Sequence, residues 1–579
     1  MAQAANNRPT HEIVADLERT LGDPMEGDGP FSFASIVAHE EREELPPGAT
    51  ELAREWGFPQ FLVPRAFGGR LNNLEEVFVL TRSLARRNLT VAVMFGSALL
   101  GVNPVWLWGD EEQRRRVADG LLAGELACFA VSEPDHGSDL QGNATTALAE
   151  GDTFVLTGEK WPVGNATRGR FVTVFATVEG RGQTLLLVDK EQLEPGSWSN
   201  HPFVRTAGLR GHDLSGIVFD GARVPRGAVL GRNGAGLVEV LKALQITRTA
   251  IGALSIGTMD SVLRIGLQYA HERSLYGTEI YQLPVIRRHL VHAHLDLLIA
   301  ECTALPVARA LSVAPSRLSM WSSVVKYLVP VIGEEVIQDM ARVLGARSYL
   351  REGVASGIFQ KLQRDHAIAS IFEGTTHVNL HNIAAQLPNL APHAQDAQSG
   401  GEDVLEALFD WSAEAPAWQP AHHVLQLTNA VEDEITRGWN DAVAEAARIA
   451  AECLEPAEAA DLAKVLDAFG SRRAVFYTRL AAAPSDAASV AGQDHAAEHC
   501  VHHAAASCLY TWLHTFRSVH GAPSTTGWLI LALQRLLQRL EPATELAPDY
   551  LPEIEYAMDE SLKTPYRFSV GFFKEAAGR

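Results

Sequence analysis

The spacing of apolar residues divides the chain into stretches with two different periods. From about residue 35 to about residue 126, apolar residues recur three and four positions apart, as in EVFVLTRSLARRN, which predicts amphipathic helices. Between about 127 and 236, short apolar runs such as FVTVFATV and TLLLVD are separated by Gly, Asp and Asn turns, which predicts strands. The helical period returns at about residue 237 and continues to about residue 388.

A change in composition marks a further boundary. The segment LPNLAPHAQDAQSGGED, at 387–403, is rich in Pro, Gly and small polar residues, as linkers are, and the residues after it are helical in period and rich in Ala. The predicted fold class is α+β and mainly α. Its four parts are an N-terminal helical domain at 1–126, a middle β domain at 127–236, a helical bundle domain at 237–388, and a linker with an additional C-terminal helical domain at 389–579.

Composition and charge exclude several classes of function. The net charge of −21 and the lack of a Lys and Arg cluster argue against nucleic-acid binding. No apolar run approaches the ~20 residues of a membrane helix, so we expect no transmembrane segment. Five cysteines, an odd number, indicate a reducing compartment, and the N-terminus lacks the pattern of a secretory signal. We therefore expect a cytoplasmic protein.

The stretch RDHAIASIFEGTTHVN, at 364–379, carries the strongest chemical signal. Its helical period runs into Glu373, which predicts a carboxylate at a helix end. A solvated side chain is the usual state of such a residue, so its neighbours decide the interpretation. We expect Ile371 and Phe372 to form an apolar wall that raises the pKa of Glu373, as a general base requires. Gly374 would let the backbone approach a ligand closely.

This stretch resembles the acyl-CoA dehydrogenase pattern RD-x5-I-[YF]-E-G-T, residue for residue. Other stretches resemble the same family in the same order, across roughly residues 40 to 385: WGFPQFLVPRAFGG at 56–69, WGDEEQRRR at 108–116, LLAGELACFAVSEPDHGSDLQGNATTA at 121–147, GLRGHDLSGIVFDGARVP at 208–225 and ERSLYG at 272–277. The resemblance implies an FAD-dependent enzyme that converts an acyl-CoA or acyl-carrier thioester to its trans-2-enoyl form. Glu373 would be the catalytic base and flavin N5 the hydride acceptor.

The resemblance also implies the other residues of the site. Cofactor contacts are expected for Phe129, Val131, Ser132, Ser138, Val163, Gly164, Arg273, Arg342, Gly345, Thr375 and His377. Substrate contacts are expected for Ser138, Arg248 and Gly374, although a structural salt bridge is an equally good role for Arg248. No metal is expected.

Some positions depart from the family pattern. GEKWPVGN stands where the family has G-x-K-x-W-I-T-N, so that Pro162 and Gly164 replace a Trp and a Thr beside flavin N5. Pro284 replaces a Gln, RVLGA at 342–346 replaces Q-x-x-G-G, and REGVASGIFQKLQ is about four residues longer than usual. These departures bear on flavin binding and leave the base untouched.

The last 175 or so residues resemble, in helical content only, the extra domain of very-long-chain acyl-CoA dehydrogenases and acyl-CoA oxidases. That resemblance implies a homodimer with a role in fatty acid metabolism. The electron acceptor would be an electron-transfer flavoprotein or, in an oxidase, oxygen. A flavin-binding protein of the same fold with little catalysis is a further alternative.

Four histidines offer a separate interpretation. His495, His499, His502 and His503 fall at i, i+4, i+7 and i+8, so one helix face could present several imidazoles to a metal. No orienting carboxylate or CxxC pair accompanies them. We therefore favour solvated histidines, or histidines satisfied in a helix interface.

Overall fold

The computed structural model describes residues 8–394, 401–516 and 525–563. Six helices form the N-terminal part: α1 Thr10–Leu21, α2 Phe33–Glu40, α3 Ala49–Trp56, α4 Leu74–Ala85, α5 Leu89–Trp108 and α6 Glu111–Leu122. Local signals set their starts. α6 follows a capping box, in which the Asp110 side chain accepts from the Gln113 N–H and the Gln113 side chain accepts from the Asp110 N–H.

A β-sheet follows in the middle of the chain. Its strands are β1 Leu126–Ala130, β2 Thr146–Glu150, β3 Thr153–Gly164, β4 Gly169–Val178, β5 Gly182–Asp189, β6 Trp198–Asn200, β7 Leu214–Pro225 and β8 Val229–Leu230. They are ordered β6-β7-β3-β2-β4-β5-β8, and β1 pairs with β4 in parallel. β1 enters the sheet directly after α6, so the sheet is joined closely to the helices before it.

The sheet packs tightly against α5. A Cβ on Gly101 would lie 2.7 Å from the Cys128 backbone nitrogen in β1, so only glycine permits this approach. The Thr173 hydroxyl of β4 donates to the Gly101 carbonyl at 2.7 Å. The helical part and the sheet therefore share one interface beside the end of β1.

A second helical part follows the sheet. It comprises α7 Gly236–Glu272, α8 Pro284–Val313, α9 Leu318–Leu344, α10 Phe359–His366 and α11 Thr376–Leu390, with a small hairpin of β9 Ser274–Leu275 and β10 Thr278–Glu279 between α7 and α8. α7, α8 and α9 are buried along most of their length. The order of helices, sheet and helices confirms the predicted fold class.

The C-terminal part adds α12 Glu402–Phe409, α13 Glu434–Arg437, α14 Trp439–Cys453, α15 Pro456–Ala482, α16 Val490–Thr515, α17 Gly527–Leu540 and α18 Leu551–Lys563. Before α13, the segment 410–433 runs without a helix over the earlier domains. The Trp418 N–H donates to the Asn72 carbonyl at 2.6 Å, and the Ser319 hydroxyl donates to the Leu427 carbonyl at 2.6 Å. This segment therefore ties the C-terminal part to both helical parts before it.

Three helices are long and apolar enough, by length and composition, to cross a membrane: α5, α7 and α8. The most apolar windows of these helices are 83%, 94% and 94% buried inside the protein. Their apolar character is accounted for by packing in the core, since a helix that is hydrophobic all round is a buried one. The expectation that the chain has no transmembrane segment stays a prediction.

Candidate active site

Glu373 lies in a tight turn between two helices. α10 ends at His366, a short 3-10 segment spans Ala367–Ser370, and α11 begins at Thr376. Glu373 has φ 56° and Gly374 has φ 106°, so two successive residues are left-handed. Strain of this kind costs a non-glycine residue about 1–3 kcal/mol and concentrates at functional sites. The carboxylate is directed inward, and its Oε2 is buried with no hydrogen-bond partner.

Hydrogen bonds from both sides hold this turn. The Thr375 side chain caps α11 by accepting a backbone N–H of its first turn. The Asn379 side chain donates to the carbonyls of Gly374 and Thr375, both at 2.9 Å. From α7, Arg248 Nε donates to the Glu373 carbonyl at 3.0 Å. The backbone at Glu373 is therefore fixed in place.

Polar groups from two long helices lie around the carboxylate. Thr247 and Arg248 come from α7 and Lys326 from α9, and the three are 3%, 6% and 1% exposed. Burial raises the pKa of Glu373 to about 7, although the Thr247 hydroxyl and the charges of Lys326 and Arg248 act to lower it. Desolvation outweighs the nearby cations, so the carboxylate has the pKa of a general base at neutral pH.

The prediction about the surroundings of Glu373 was right in direction and wrong in two details. The helix predicted to run into Glu373 ends at His366 instead. Ile371, predicted to form an apolar wall with Phe372, is 57% exposed, and only Phe372 is partly buried. The turn carries Ile371 outward, and residues distant in sequence supply the burial.

The predicted flavin-edge loop lies beside the end of β3. The Val131 carbonyl accepts from Lys160 Nζ at 3.0 Å, and the Ser132 carbonyl accepts from the Trp161 N–H at 2.9 Å. Phe129, Val131, Ser132 and Gly164 are partly exposed here, whereas Val163 is buried. The structure thus brings together five of the predicted cofactor residues, from β1, the loop after it and β3.

A buried ion pair anchors this loop and was missed in the sequence. Glu133 accepts from Lys160 Nζ at 2.8 Å and from the N–H groups of Ala144 and Thr145 at 2.7 and 2.9 Å. These donors hold the pKa of Glu133 at about 2 against its burial, and burial lowers the pKa of Lys160 to about 8. Glu133 lies inside the motif SEPDHGSD, but its partner is in another strand, so no local pattern marked the pair.

The glycine that departs from the family pattern has a steric explanation. A Cβ on Gly164 would lie 2.7 Å from Ser97 Oγ and 3.1 Å from His212 Nε2. The space of a larger side chain is thus taken by Ser97 of α5 and His212 of the loop before β7. Burial lowers the pKa of His212 to about 4, so this imidazole is neutral at neutral pH.

Hydrogen bonds connect this edge of the sheet to the helix that leads into Glu373. The Asn165 N–H, just after β3, donates to the Asp213 carbonyl at 2.7 Å. The Leu209 N–H, in the same loop as Asp213, donates to Asp365 Oδ1 of α10 at 2.7 Å. The sheet edge and the candidate base therefore belong to one connected framework.

The remaining predicted residues lie at the surface. Ser138 is exposed in the loop after β1, and His377 is exposed in the first turn of α11. Arg273, Arg342 and Gly345 are also exposed, near the ends of α7 and α9, and Arg342 pairs with Asp339. The described contacts of these five residues do not bring them to Glu373, so their roles stay predictions.

The histidines of α16 are buried in a helix interface. His499, His502 and His503 are each no more than 1% exposed. Tyr477 Oη and His499 Nδ1 are 2.9 Å apart, and His495 Nδ1 lies 3.0 Å from the Ser485 hydroxyl. Within the described ranges, no group of three His, Cys, Asp or Glu side chains could hold a metal ion.

Comparison with known proteins identifies the family. Sequence models of three consecutive domains match this chain: the acyl-CoA dehydrogenase N-terminal domain at 33–125, the middle domain at 128–222 and the C-terminal domain at 234–387. The chain belongs to the acyl-CoA dehydrogenase family. The resemblance found in the sequence is confirmed, and this member of the family is an FAD-dependent oxidoreductase, as predicted.

Named relatives are similar over the first two thirds of the chain. The probable acyl-CoA dehydrogenase fadE25 of Mycobacterium leprae is 25% identical over 344 residues, which are 58% of this chain and 87% of that protein. The human mitochondrial short-chain specific acyl-CoA dehydrogenase is 27% identical over 361 residues, 61% of this chain and 85% of its own length.

A solved structure extends the similarity of fold to the C-terminal part. The acyl-CoA dehydrogenase of Bacillus anthracis, complexed with FAD, superposes with a TM-score of 0.66 at 19% identity. The superposition covers 96% of this chain and 91% of that one. The helices after residue 394 therefore belong to a known architecture for this family.

The residues of this family member fit a bound flavin at the sheet edge. Phe129, Val131, Ser132 and Gly164 leave one face of the β1 and β3 ends partly open, and Glu373 Oε2 is a buried polar atom without a partner. A planar ring needs an open face of this kind, lined by apolar side chains and backbone. Arg273 and Arg342 are exposed cations of the type that binds a pyrophosphate.

Proposed function

We propose that the enzyme converts an acyl thioester to its trans-2-enoyl form, with Glu373 as the base that removes the Cα proton. The observation that carries this proposal is the inward carboxylate, whose Oε2 is buried and whose pKa burial raises to about 7. A base with this pKa is ionised in a useful fraction at neutral pH and still accepts a proton readily. FAD, when bound, supplies the acceptor for the hydride that leaves Cβ.

The backbone of Glu373 supplies a second function. Its N–H has no hydrogen-bond acceptor among the described residues, whereas the N–H groups of Ile371 and Phe372 both donate to the Ile368 carbonyl. Proton removal from Cα develops negative charge on the thioester oxygen. A fixed N–H beside the base is a donor that can stabilise this charge without reorganisation. Arg248 keeps that N–H in position through its bond to the Glu373 carbonyl.

We propose an acyl-CoA as the substrate and an electron-transfer flavoprotein as the acceptor. The support for the substrate comes from the relatives of Mycobacterium leprae and man, which carry the name acyl-CoA dehydrogenase, and the acceptor is the one that the family resemblance implies. Fatty acid metabolism in the cytoplasm is the proposed setting. None of the five cysteines, all of which lie in the described part of the chain, forms a disulfide, and all except Cys453 are buried, a state that a reducing compartment preserves.

Replacement of the base tests the assignment. The Glu373→Gln variant should bind FAD and stay yellow, because the amide keeps the shape of the side chain. Its flavin should be bleached by acyl-CoA without oxygen at least about a hundredfold more slowly, since general bases contribute about 10²–10⁴ in rate. Stopped-flow absorbance at the flavin maximum, with a panel of acyl-CoA and acyl-carrier thioesters, measures this rate.

Matched controls make the result specific. The Glu352→Gln variant changes an exposed carboxylate and should bleach at the wild-type rate. Bleaching of Glu373→Gln at the wild-type rate would refute Glu373 as the base. A wild-type protein that binds FAD but is bleached by none of the thioesters would instead support a flavin-binding protein with little catalysis. Rapid reoxidation of the reduced enzyme by oxygen would support an oxidase.

We propose that the enzyme is a homodimer. Large side chains are exposed around the start of α8 and the end of α9: Leu275, Tyr276, Val285, Tyr349 and Leu350. His289 and Asp339, hydrogen-bonded at 3.0 Å, join these two helices near the exposed set. We propose that these side chains form the interface, since exposed apolar patches mark contacts between proteins. Light scattering should give twice the chain mass, and a monomer or tetramer would contradict the proposal.

A further inference from the structure

Lys326 is a buried cation in the middle of α9. It is 1% exposed, and its neighbours in the helix, Val324, Val325, Leu328 and Val329, are buried apolar residues. Burial of an ammonium group is costly unless it is hydrogen-bonded or compensated by an opposite charge. A buried lysine at this position therefore requires an explanation in its surroundings.

The hydrogen bond of Lys326 leads to the catalytic turn. Nζ donates to the Ala369 carbonyl at 2.7 Å, and Ala369 is in the 3-10 segment four residues before Glu373. Nζ also lies 5.7 Å from the centre of the Phe372 ring, directly before the base. About two turns further along α9, Glu334 accepts a hydrogen bond from the Ser370 hydroxyl at 2.5 Å. α9 therefore binds the segment of chain before Glu373 at two points.

The base is the anion that acts on the charge of Lys326. Among the described residues Lys326 forms no ion pair within 4.0 Å, and the charged groups that act on it are the Glu373 carboxylate and the Arg248 guanidinium. Lys326 and Arg248 are in turn the two cations that act on Glu373. Arg248 is committed to the Glu373 carbonyl by a hydrogen bond, whereas Lys326 approaches from the side of the 3-10 segment.

We propose that Lys326 is a positioning residue for the dehydrogenation assigned to Glu373. It holds the 3-10 segment that precedes the base, and its ammonium group favours the ionised carboxylate that accepts the Cα proton. The inference rests on the proposed function of Glu373 and extends it to a residue 47 positions earlier in the chain. Lys326 itself touches neither the thioester nor the flavin in this proposal.

The physical consequence is a balance between two opposing effects. Desolvation alone would leave Glu373 protonated at neutral pH, and a protonated carboxyl cannot act as a base. A nearby cation lowers the pKa and restores the ionised fraction. The groups that face Glu373 are Thr247 and Arg248 from α7 and Lys326 from α9. Burial lowers the pKa of Lys326 to about 8, so its charge is present at neutral pH and is lost in alkali.

Three variants separate the hydrogen bond from the charge. Lys326→Gln keeps a donor for the Ala369 carbonyl and removes the charge. Lys326→Met removes both, and Lys326→Arg keeps both. We expect the Gln and Met variants to bleach about fivefold more slowly near pH 7, because loss of the cation raises the kinetic pKa from about 7 to about 8 and lowers the ionised fraction of the base accordingly. Their rates should approach the wild-type rate at high pH, and the Arg variant should keep the wild-type profile.

The measurements are made on the FAD-loaded protein and include one that is independent of turnover. Infrared difference titration should show the protonated Glu373 carboxyl, identified by its loss in Glu373→Gln, persisting to higher pH in Lys326→Gln. Lys464→Gln removes an exposed lysine of α15 and is the matched control. The larger side chain of Lys326→Arg has to fit a buried position. The apolar side chain of Lys326→Met is the most compatible with folding there, so the test holds even without the Arg variant.

The possible outcomes distinguish a positioning role of Lys326 from a purely structural one. An unshifted pH profile and an unshifted carboxyl titration in Lys326→Gln would overturn the proposal and leave Lys326 as a structural cap of the 3-10 segment. A Met variant impaired equally at every pH, beside a normal Gln variant, would do the same. Failure of the proposed function looks different, because the wild type would then show no bleaching at any pH, or Glu373→Gln would bleach at the wild-type rate.

Discussion

At the scale of single residues, the turn at Glu373 is chemically useful and energetically unfavourable for the fold. The same burial that raises the pKa of Glu373 to about 7 penalises its ionised form in the folded protein. In the unfolded chain this carboxyl ionises near its ordinary pKa of 4.5. The folded state therefore holds a proton that the unfolded state has released, across the window from about 4.5 to about 7.

Glu373→Gln should consequently stabilise the protein at alkaline pH. The contribution of Glu373 to stability is fully present below pH 4.5 and falls as pH rises to about 7, since the folded state binds more protons in that window. We expect the free energy of unfolding of the Gln variant to exceed that of the wild type by about 1–2 kcal/mol at pH 8, after allowance for the partial exposure of the residue. Urea unfolding of both proteins at pH 5 and pH 8 measures the difference.

The exposed carboxylate of Glu352 provides the control, because Glu352→Gln should give no difference that depends on pH. Equal stability of Glu373→Gln and wild type at pH 8 would mean that the carboxylate is better solvated than its buried Oε2 indicates. That result would also weaken the case for a raised pKa at the base.

The sequence predicted the base, and it did not predict the groups that tune it. Glu373 stands in a contiguous motif, so local pattern was enough to find it. Thr247 and Lys326 are more than 40 residues from Glu373, in helices whose period marks them only as interior positions. Lys160 is likewise separated from Glu133 by strand β2. Such partners are set by packing between elements, which a single sequence does not display.

At the scale of elements, the loop before β7 determines where α10 can lie. A Cβ on Gly208 would fall 2.3 Å from the Arg364 carbonyl oxygen, although Gly208 has no left-handed φ. The next residue, Leu209, donates its N–H to Asp365 Oδ1. This loop and α10 are therefore in backbone contact, and α10 leads to the catalytic turn.

Gly208→Ala should displace the loop from α10. Overlap of this kind cannot be relieved by a side-chain rotation, because both partners are backbone, and overpacking typically costs about 1–3 kcal/mol. We expect lower thermal stability and slower flavin bleaching, with FAD still bound. Gly227→Ala is the matched control, since a Cβ there meets nothing within 4 Å. Identical melting and bleaching in the two variants would show that the loop moves freely.

The extent of elements near the site was less predictable than their type. The period of RDHAIASIFE continues as if one helix reached Glu373, yet α10 ends at His366 and a 3-10 segment follows. Lys326 binds the Ala369 carbonyl and Ser370 binds Glu334, so contacts with α9 take over from the helical hydrogen bonds. Tertiary contacts have overridden a local preference, as they commonly do at helix ends.

At the scale of the whole molecule, buried polar groups join the C-terminal part to the catalytic bundle. Trp321 Nε1 of α9 donates to Asp433 Oδ1 at 2.8 Å, just before α13. His499 and His503 of α16 are 0% exposed beside this contact, and both ring nitrogens of His503 lack a hydrogen-bond partner. Burial lowers the pKa of His499 to about 3 and that of His503 to about 4.

Acid should therefore loosen the C-terminal part. Both imidazoles are neutral in the folded protein, whereas in the unfolded chain they take up protons below pH 6.5, their ordinary pKa. Their contribution to stability is complete above about 6.5 and is lost as pH falls towards 4. Each of the two imidazoles should lower the free energy of unfolding by about 1 kcal/mol at pH 5.5 relative to pH 7.5. Thermal unfolding between these two pH values measures the loss.

His503→Leu should flatten this dependence. Leucine is similar in size to histidine, and because neither ring nitrogen of His503 is hydrogen-bonded, an apolar side chain leaves no buried group unsatisfied. The variant should thus melt like the wild type at pH 7.5 and higher than the wild type at pH 5.5. His423→Leu, at an exposed position, controls for the general effect of losing an imidazole. An equal loss of stability in acid for wild type and His503→Leu would mean that His503 already binds a proton in the folded state, with Asp433 as its counter-charge.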